Sequence, residues 1–137
     1  MPVSVKLLLK SLTTGRELVV KGYVNTGFMA DSPDIAIPVP IAERLGLWPV
    51  STRESIIVSI ETGGGVVEAH LIPQALVVKV ITSDRESREV VANALINPYT
   101  DSVLISDYLT EELGIQLLYP RRGLWRFADE DKVRESE

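Results

Sequence analysis

Apolar residues in this chain come in short β-tolerant runs, each bounded by glycine, proline or polar turn residues. Residues 3–10 form the first run. Thr13-Thr14-Gly15 then turns the chain into residues 16–24, which predicts a hairpin. Residues 35–37 read as a short buried strand. Pro38-Val39-Pro40 opens a brief helix over 41–45, because proline is tolerated in a first helical turn, and Gly46 ends it. Residues 54–60 place Ile56, Val58 and Ile60 on one face of a strand. Gly63-Gly64-Gly65 forms a tip, and residues 66–71 return, which predicts a mobile hairpin. Residues 73–81 and 88–96 read as another strand pair across a polar turn, and Asn97-Pro98 breaks the chain. Residues 103–105 are a buried strand. Ser106 or Asp107 caps a second helix over 108–113, closed by Gly114. Strands at 115–118 and 124–127 follow, and the acidic segment 128–137 is expected to be a disordered tail. The pattern predicts one all-β domain over 1–127, a closed or partly closed barrel with one or two short helices.

Composition narrows the chemistry. The chain has 137 residues, with 45% hydrophobic and 24% charged, which suits one soluble domain with a sizeable core. It contains no cysteine and one histidine, His70, so disulfides, thiolate sites and His-rich metal sites are excluded, and no cofactor is expected. The net charge is −5. Asp129, Glu130, Asp131, Glu135 and Glu137 against Lys132 and Arg134 place −3 of it in the last ten residues. Nothing resembles the basic footprint of a nucleic-acid binder. The apolar runs are too short and interrupted to span a bilayer, and no membrane partner is expected. The first residues lack a secretory signal layout, so a cytoplasmic location is the expectation. The scarcity of Cys, Gln and Asn points weakly to a thermophilic source.

The candidate chemistry centres on Gly22-Tyr23-Val24-Asn25-Thr26-Gly27-Phe28, where a strand runs into a tight turn. Further on come Ile35-Ala36-Ile37-Pro38 leading into Ala42-Glu43-Arg44-Leu45-Gly46-Leu47, and the glycine tip Gly63-Gly64-Gly65. Val103-Leu104-Ile105-Ser106 then runs into Leu113-Gly114. In this order the features resemble a retropepsin-like, single-lobe aspartic protease, with asparagine where that family carries its catalytic aspartate. The second departure is Ser106, where the family usually has glycine. The resemblance covers residues 3–127 and implies a homodimer, because one turn supplies one carboxylate and the reaction needs two. It implies a peptide or protein substrate, a flap formed by Gly63, Gly64 and Gly65, and a catalytic turn of Asn25, Thr26 and Gly27. Asp31 is the candidate contact to a bound peptide's backbone or amino terminus. The competing reading of Asp31 and Asp34 is a pair of loop-solvating or capping acids.

An amide has no titratable proton near neutral pH, so Asn25 cannot move a proton to or from water or substrate. Three accounts fit it: an introduced substitution, a natural pseudoenzyme that binds peptides, or an ordinary turn asparagine. The chain as written is expected to lack peptidase activity. The alternative reading is a non-catalytic peptide-binding or dimerisation module. His70 is expected to be a packed or surface histidine. Trp48, Trp125 and Phe127 are expected to be core or dimer contacts, and Arg121 and Arg122 a solvated turn.

Overall fold

The computed structural model describes residues 3–25, 27–50, 55–62 and 65–137. Its strands are β1 (Ser4–Ser11), β2 (Glu17–Val24), β3 (Asp34–Ile37), β4 (Ile56–Thr62), β5 (Gly65–Val80), β6 (Val90–Ile96), β7 (Val103–Ile105), β8 (Ile115–Tyr119), β9 (Leu124–Phe127) and β10 (Arg134–Glu135). Two short helices, α1 (Val39–Arg44) and α2 (Asp107–Glu112), interrupt them. Strand makes up 51% and helix 12%, as the all-β reading requires.

Six strands close into a barrel. Their order is β1-β2-β7-β3-β6-β5, and β5 returns to pair with β1 from Leu7↔Val80 to Ser11↔Leu76. Alternation explains the core. β1 buries Val5, Leu7 and Leu9 completely and turns Lys6 and Lys10 outward. Ile35 and Ile37 of β3, Val78 and Val80 of β5, and Ile105 of β7 meet them inside. Each such side chain contributes about 1.5–3 kcal/mol when fully buried. Gly22 of β2 is required by this packing, since a side chain there would run into Leu7 Cδ1.

The topology fixes the Asn25 loop. β2 and β3 follow each other in sequence, but β7 lies between them, parallel to β2 and antiparallel to β3. Ile105 is flanked by Val24 on one side and Ile35 on the other. Residues 27–33 therefore pass the end of β7, where the chain enters α2 and Asp107 bonds to Phe28 and Ala30.

Two sequence expectations are corrected here. The runs 66–71 and 73–81 are one continuous strand, β5. Pro73 does not end it, because a bulge between Ile72 and Leu76 absorbs the proline. Within the bulge Gln74 takes φ 49°, and its N–H donates to Asn93 Oδ1 at 2.9 Å. β5 thus serves the barrel at one end and a hairpin with β4 at the other.

The second correction is the acidic C-terminal segment, which is folded onto the body. β10 pairs with β9, and Arg134 Nη1 and Nη2 donate to Asp84 at 2.7 and 3.0 Å. Arg134 Nε donates to Glu130 at 2.8 Å, and the guanidinium lies 5.3 Å from the Phe127 ring centre. Arg85 stacks on the same ring at 4.1 Å and pairs with Asp129 and Glu130. Ser136 Oγ accepts from Ser4 N at 3.0 Å, and Glu137 N donates to Ser4 O at 3.2 Å. A count of net charge missed this clasp because its acids find arginines on other elements.

Candidate functional site

Backbone hydrogen bonds carry β2 up to the turn. Val24 N donates to Val3 O at 2.9 Å, and Asn25 N reaches Ile105 O at 3.4 Å. The Asn25 side chain then closes the turn itself: its Oδ1 accepts from Gly27 N at 3.0 Å, and Phe28 N donates to Asn25 O at 2.9 Å. This is an Asx turn, the local geometry that favours Asn and Asp over other residues. A side chain at position 27 would crowd Asn25 Oδ1, so glycine suits the fold of the amide over the backbone. Asn25 and Gly27 are both exposed. Thr26, Gly63 and Gly64 lie outside the described residues.

Two residues at the start of α2 hold the far leg of the loop. Ser106 is fully buried, and its Oγ accepts from Leu109 N at 3.1 Å and from Asp34 N at 3.1 Å. Ser106 N donates in turn to Asp34 O at 3.0 Å. The serine that departs from the resemblance is therefore a helix cap and a strand clamp at once. Asp107 clamps the loop. Its Oδ1 accepts from Ala30 N at 3.0 Å and Tyr108 N at 2.7 Å, while its N–H donates to Phe28 O at 2.9 Å. The sequence showed Asp107 only as a capping candidate. Its reach to Ala30 depends on β7 lying between β2 and β3, which no local signal reveals.

Asp34 is structural. Its Oδ1 accepts from Ser32 Oγ at 2.9 Å and Asn93 Nδ2 at 2.8 Å, which joins the loop to β6 and, through Asn93, to the β5 bulge. Asp31 is exposed, and among the described residues no hydrogen bond or ion pair connects it to Asn25.

A second apolar cluster, separate from the barrel interior, lies beside the turn. Ala36, Ala69 and Leu95 are buried in it, and Phe28, Val58, Ile60, Leu71 and Leu104 are half-buried around them. Ala36, Leu95 and Leu104 come from the outer face of β3, β6 and β7. Val58, Ile60, Ala69 and Leu71 come from the inner face of the β4–β5 hairpin, and Phe28 comes from the turn. The hairpin therefore extends one contiguous apolar sheet face, against which Phe28 of the Asn25 loop also packs. Gly65 begins β5 at φ 117°, a conformation side chains resist, opposite Thr62 at the hairpin end. Met29 of the loop and Ile57 and Val66 of the hairpin remain 79%, 62% and 67% exposed.

His70 packs edge-on against Trp48 at 5.5 Å, and its Nδ1 is buried without a partner among the described residues. Trp125 and Phe127 are core residues with ring centres 5.0 Å apart.

Apart from Lys79, raised by its hydrogen bond to Glu86, the displaced proton affinities sit at the clasp. Arg134 holds the Asp84 carboxyl far below the usual carboxylate range, and Arg134 and Arg85 lower Glu130. Arg85 lowers Asp129. Among the described residues no group of three or more His, Asp or Glu could hold a metal ion, and no helix is long and apolar enough to cross a membrane. Comparison with models of known families and with curated proteins finds no match for this chain.

Proposed function

We propose that this chain is a retropepsin-like aspartic peptidase framework that works as a homodimer and binds peptides beneath the β4–β5 hairpin. The observation that carries this reading is the Asn25 turn itself. An Asx turn at the end of a barrel strand is clamped by the helix-entry residues Ser106 and Asp107 and borders an apolar sheet face that the β4–β5 hairpin extends. An aspartate at position 25 can accept the same hydrogen bond from Gly27 N. Two such turns facing across a two-fold axis would then share one proton around a water. One carboxylate takes a proton from the water and the other gives one to the scissile carbonyl. With asparagine at both positions neither transfer is possible, so the chain as it stands binds peptide without cutting it.

The Asn25→Asp variant tests this. Incubated with a peptide library from acid to neutral pH, it is expected to gain cleavage at least about a thousandfold above the unchanged chain. A statine-type transition-state mimic should block that cleavage. Binding of peptides by both proteins with cleavage by neither would remove the peptidase reading and leave a peptide-binding module. No binding by either would remove both.

A further inference from the structure

We infer that Asn25 is a self-deamidating residue, from which the chain makes the aspartate its turn lacks; the consequence for activity rests on the peptidase reading proposed above. Asn25 is exposed, and its side chain is folded back toward the peptide that follows it, with Oδ1 accepting from Gly27 N at 3.0 Å. That bond acts on the amide in two ways. It polarises the Cγ–Oδ1 bond, which makes Cγ more electrophilic. It also sets an N–H donor where negative charge develops when a nucleophile adds to Cγ, the arrangement of an oxyanion hole. The leaving group is free, since Asn25 Nδ2 has no hydrogen-bond partner among the described residues.

The reaction needs only water. The peptide nitrogen after Asn25 adds to Cγ and gives up its proton, and the amide nitrogen takes a proton and leaves as ammonia, which closes a cyclic imide. Water then opens the ring. Cleavage of the new N–Cγ bond gives aspartate, and cleavage of the original peptide bond gives isoaspartate. One water enters, one ammonia leaves, and nothing is oxidised or reduced. The aspartate keeps the turn, because its carboxylate accepts the Gly27 bond as the amide did. The other asparagines, Asn93 and Asn97, are built against this reaction. Asn93 is half-buried and held at both ends: Nδ2 donates to Ser32 Oγ at 3.2 Å and Asp34 Oδ1 at 2.8 Å, and Oδ1 accepts from Gln74 N at 2.9 Å. Asn97 makes the same kind of turn, its Oδ1 accepting from Tyr99 N at 2.9 Å. The residue after it is Pro98, whose nitrogen carries no hydrogen to give up, so the neutral imide cannot form. Reactivity is thus confined to the position at which a carboxylate changes function. A newly made chain is latent and matures with time.

Peptide mapping by mass spectrometry tests this on the folded chain, incubated from neutral to mildly alkaline pH. Residue 25 should gain a negative charge and about 1 Da, at least about tenfold faster than residues 93 and 97. A free peptide of residues 22–28 should react more slowly than the folded chain, because it lacks the fixed Gly27 donor. Thr26→Gly should speed the gain about tenfold by removing a β-branched side chain from the attacking residue. Thr26→Pro should stop it, with circular dichroism checking that each variant is folded. No gain at residue 25, an equal gain at Asn97, or a free peptide that outruns the folded chain each overturns the inference. The outcomes separate from those of the functional reading. If residue 25 converts but neither the aged chain nor Asn25→Asp cuts peptides, the peptidase reading falls and the deamidation stands. If Asn25→Asp cuts while the aged chain keeps its amide, the inference falls and the peptidase reading stands. If both hold, cleavage should rise as the square of the aspartate fraction at residue 25, because both subunits must convert.

Discussion

Around Arg134, all three guanidinium nitrogens meet carboxylate oxygens of the same chain, and two aromatic rings flank the cation. Around Asn25, the amide oxygen closes its own turn, the side chain is exposed, and the neighbouring apolar cluster is only half covered. Both regions stand out by their residue types, acids and arginines in one and an asparagine turn closed by glycine in the other. The difference lies in what is left over. The clasp is saturated within one chain and functions as structure. The turn is held firmly but leaves surface unused, which is the condition for a partner or ligand.

Three changes probe that contrast, in falling order of effect. Arg134→Ala should hit hardest. The Arg134 side chain is 7% exposed, and its loss removes three charge-assisted hydrogen bonds to Glu130 and Asp84, leaving them Arg85 and Lys132, and removes packing on Trp125 and Phe127. The cost is about 3 kcal/mol, from the lost charge-assisted hydrogen bonds and the lost aromatic packing, discounted because Asp84 is 42% exposed and screened by water. Denaturant unfolding measures it, and a loss within error of zero would mean that the clasp does not hold the segment.

Ser106→Ala comes next, at about 2 kcal/mol, from a lost cap and an unpaired, partly buried N–H of Asp34. If Asn25→Asp gains cleavage as proposed, Ser106→Ala in that background should lower cleavage more than peptide affinity, because it loosens the leg of the loop that orients residue 25.

The third probe is pH. Asp84 and Glu130 have ordinary values of 3.8 and 4.5, and both are lowered in the folded chain, first by hydrogen bonds from Arg134. A lowered carboxyl favours the fold above its ordinary value, and that contribution disappears as pH falls toward the folded value. Thermal stability should therefore decline from about pH 5 downward, and Asp84→Asn should flatten the decline. Parallel slopes for the two proteins would locate acid sensitivity outside the clasp.

Much of the fold was legible because β1, β2, β7 and β9 follow local rules of alternation and turn chemistry. The barrel closure itself was not, since Leu7↔Val80 joins runs that carry no mark of each other. Pro73 misled because a proline normally ends a ladder, and here Gln74 takes a left-handed conformation to pass it. The acidic segment looked disordered because composition records charge and not pairing. At the site, Asn25 and Gly27 were visible from residue type and spacing. Asp107 as the clamp on Ala30, and the apolar face from Phe28 to Leu104, needed three-dimensional neighbours.

The pairing of β1 with β5 also governs when the protein is vulnerable. Until β5 arrives, β1 and β2 form a hairpin with Leu7, Leu8 and Leu9 along an open strand edge. Pairing between segments so distant in sequence is slow compared with hairpin formation. During that interval the run is a template for association with other nascent chains. Lys6 and Lys10 bracket it on the outward face, and as like charges they would repel the corresponding residues of any chain that stacked there. They act as gatekeepers for a strand whose protection comes only when the ring closes.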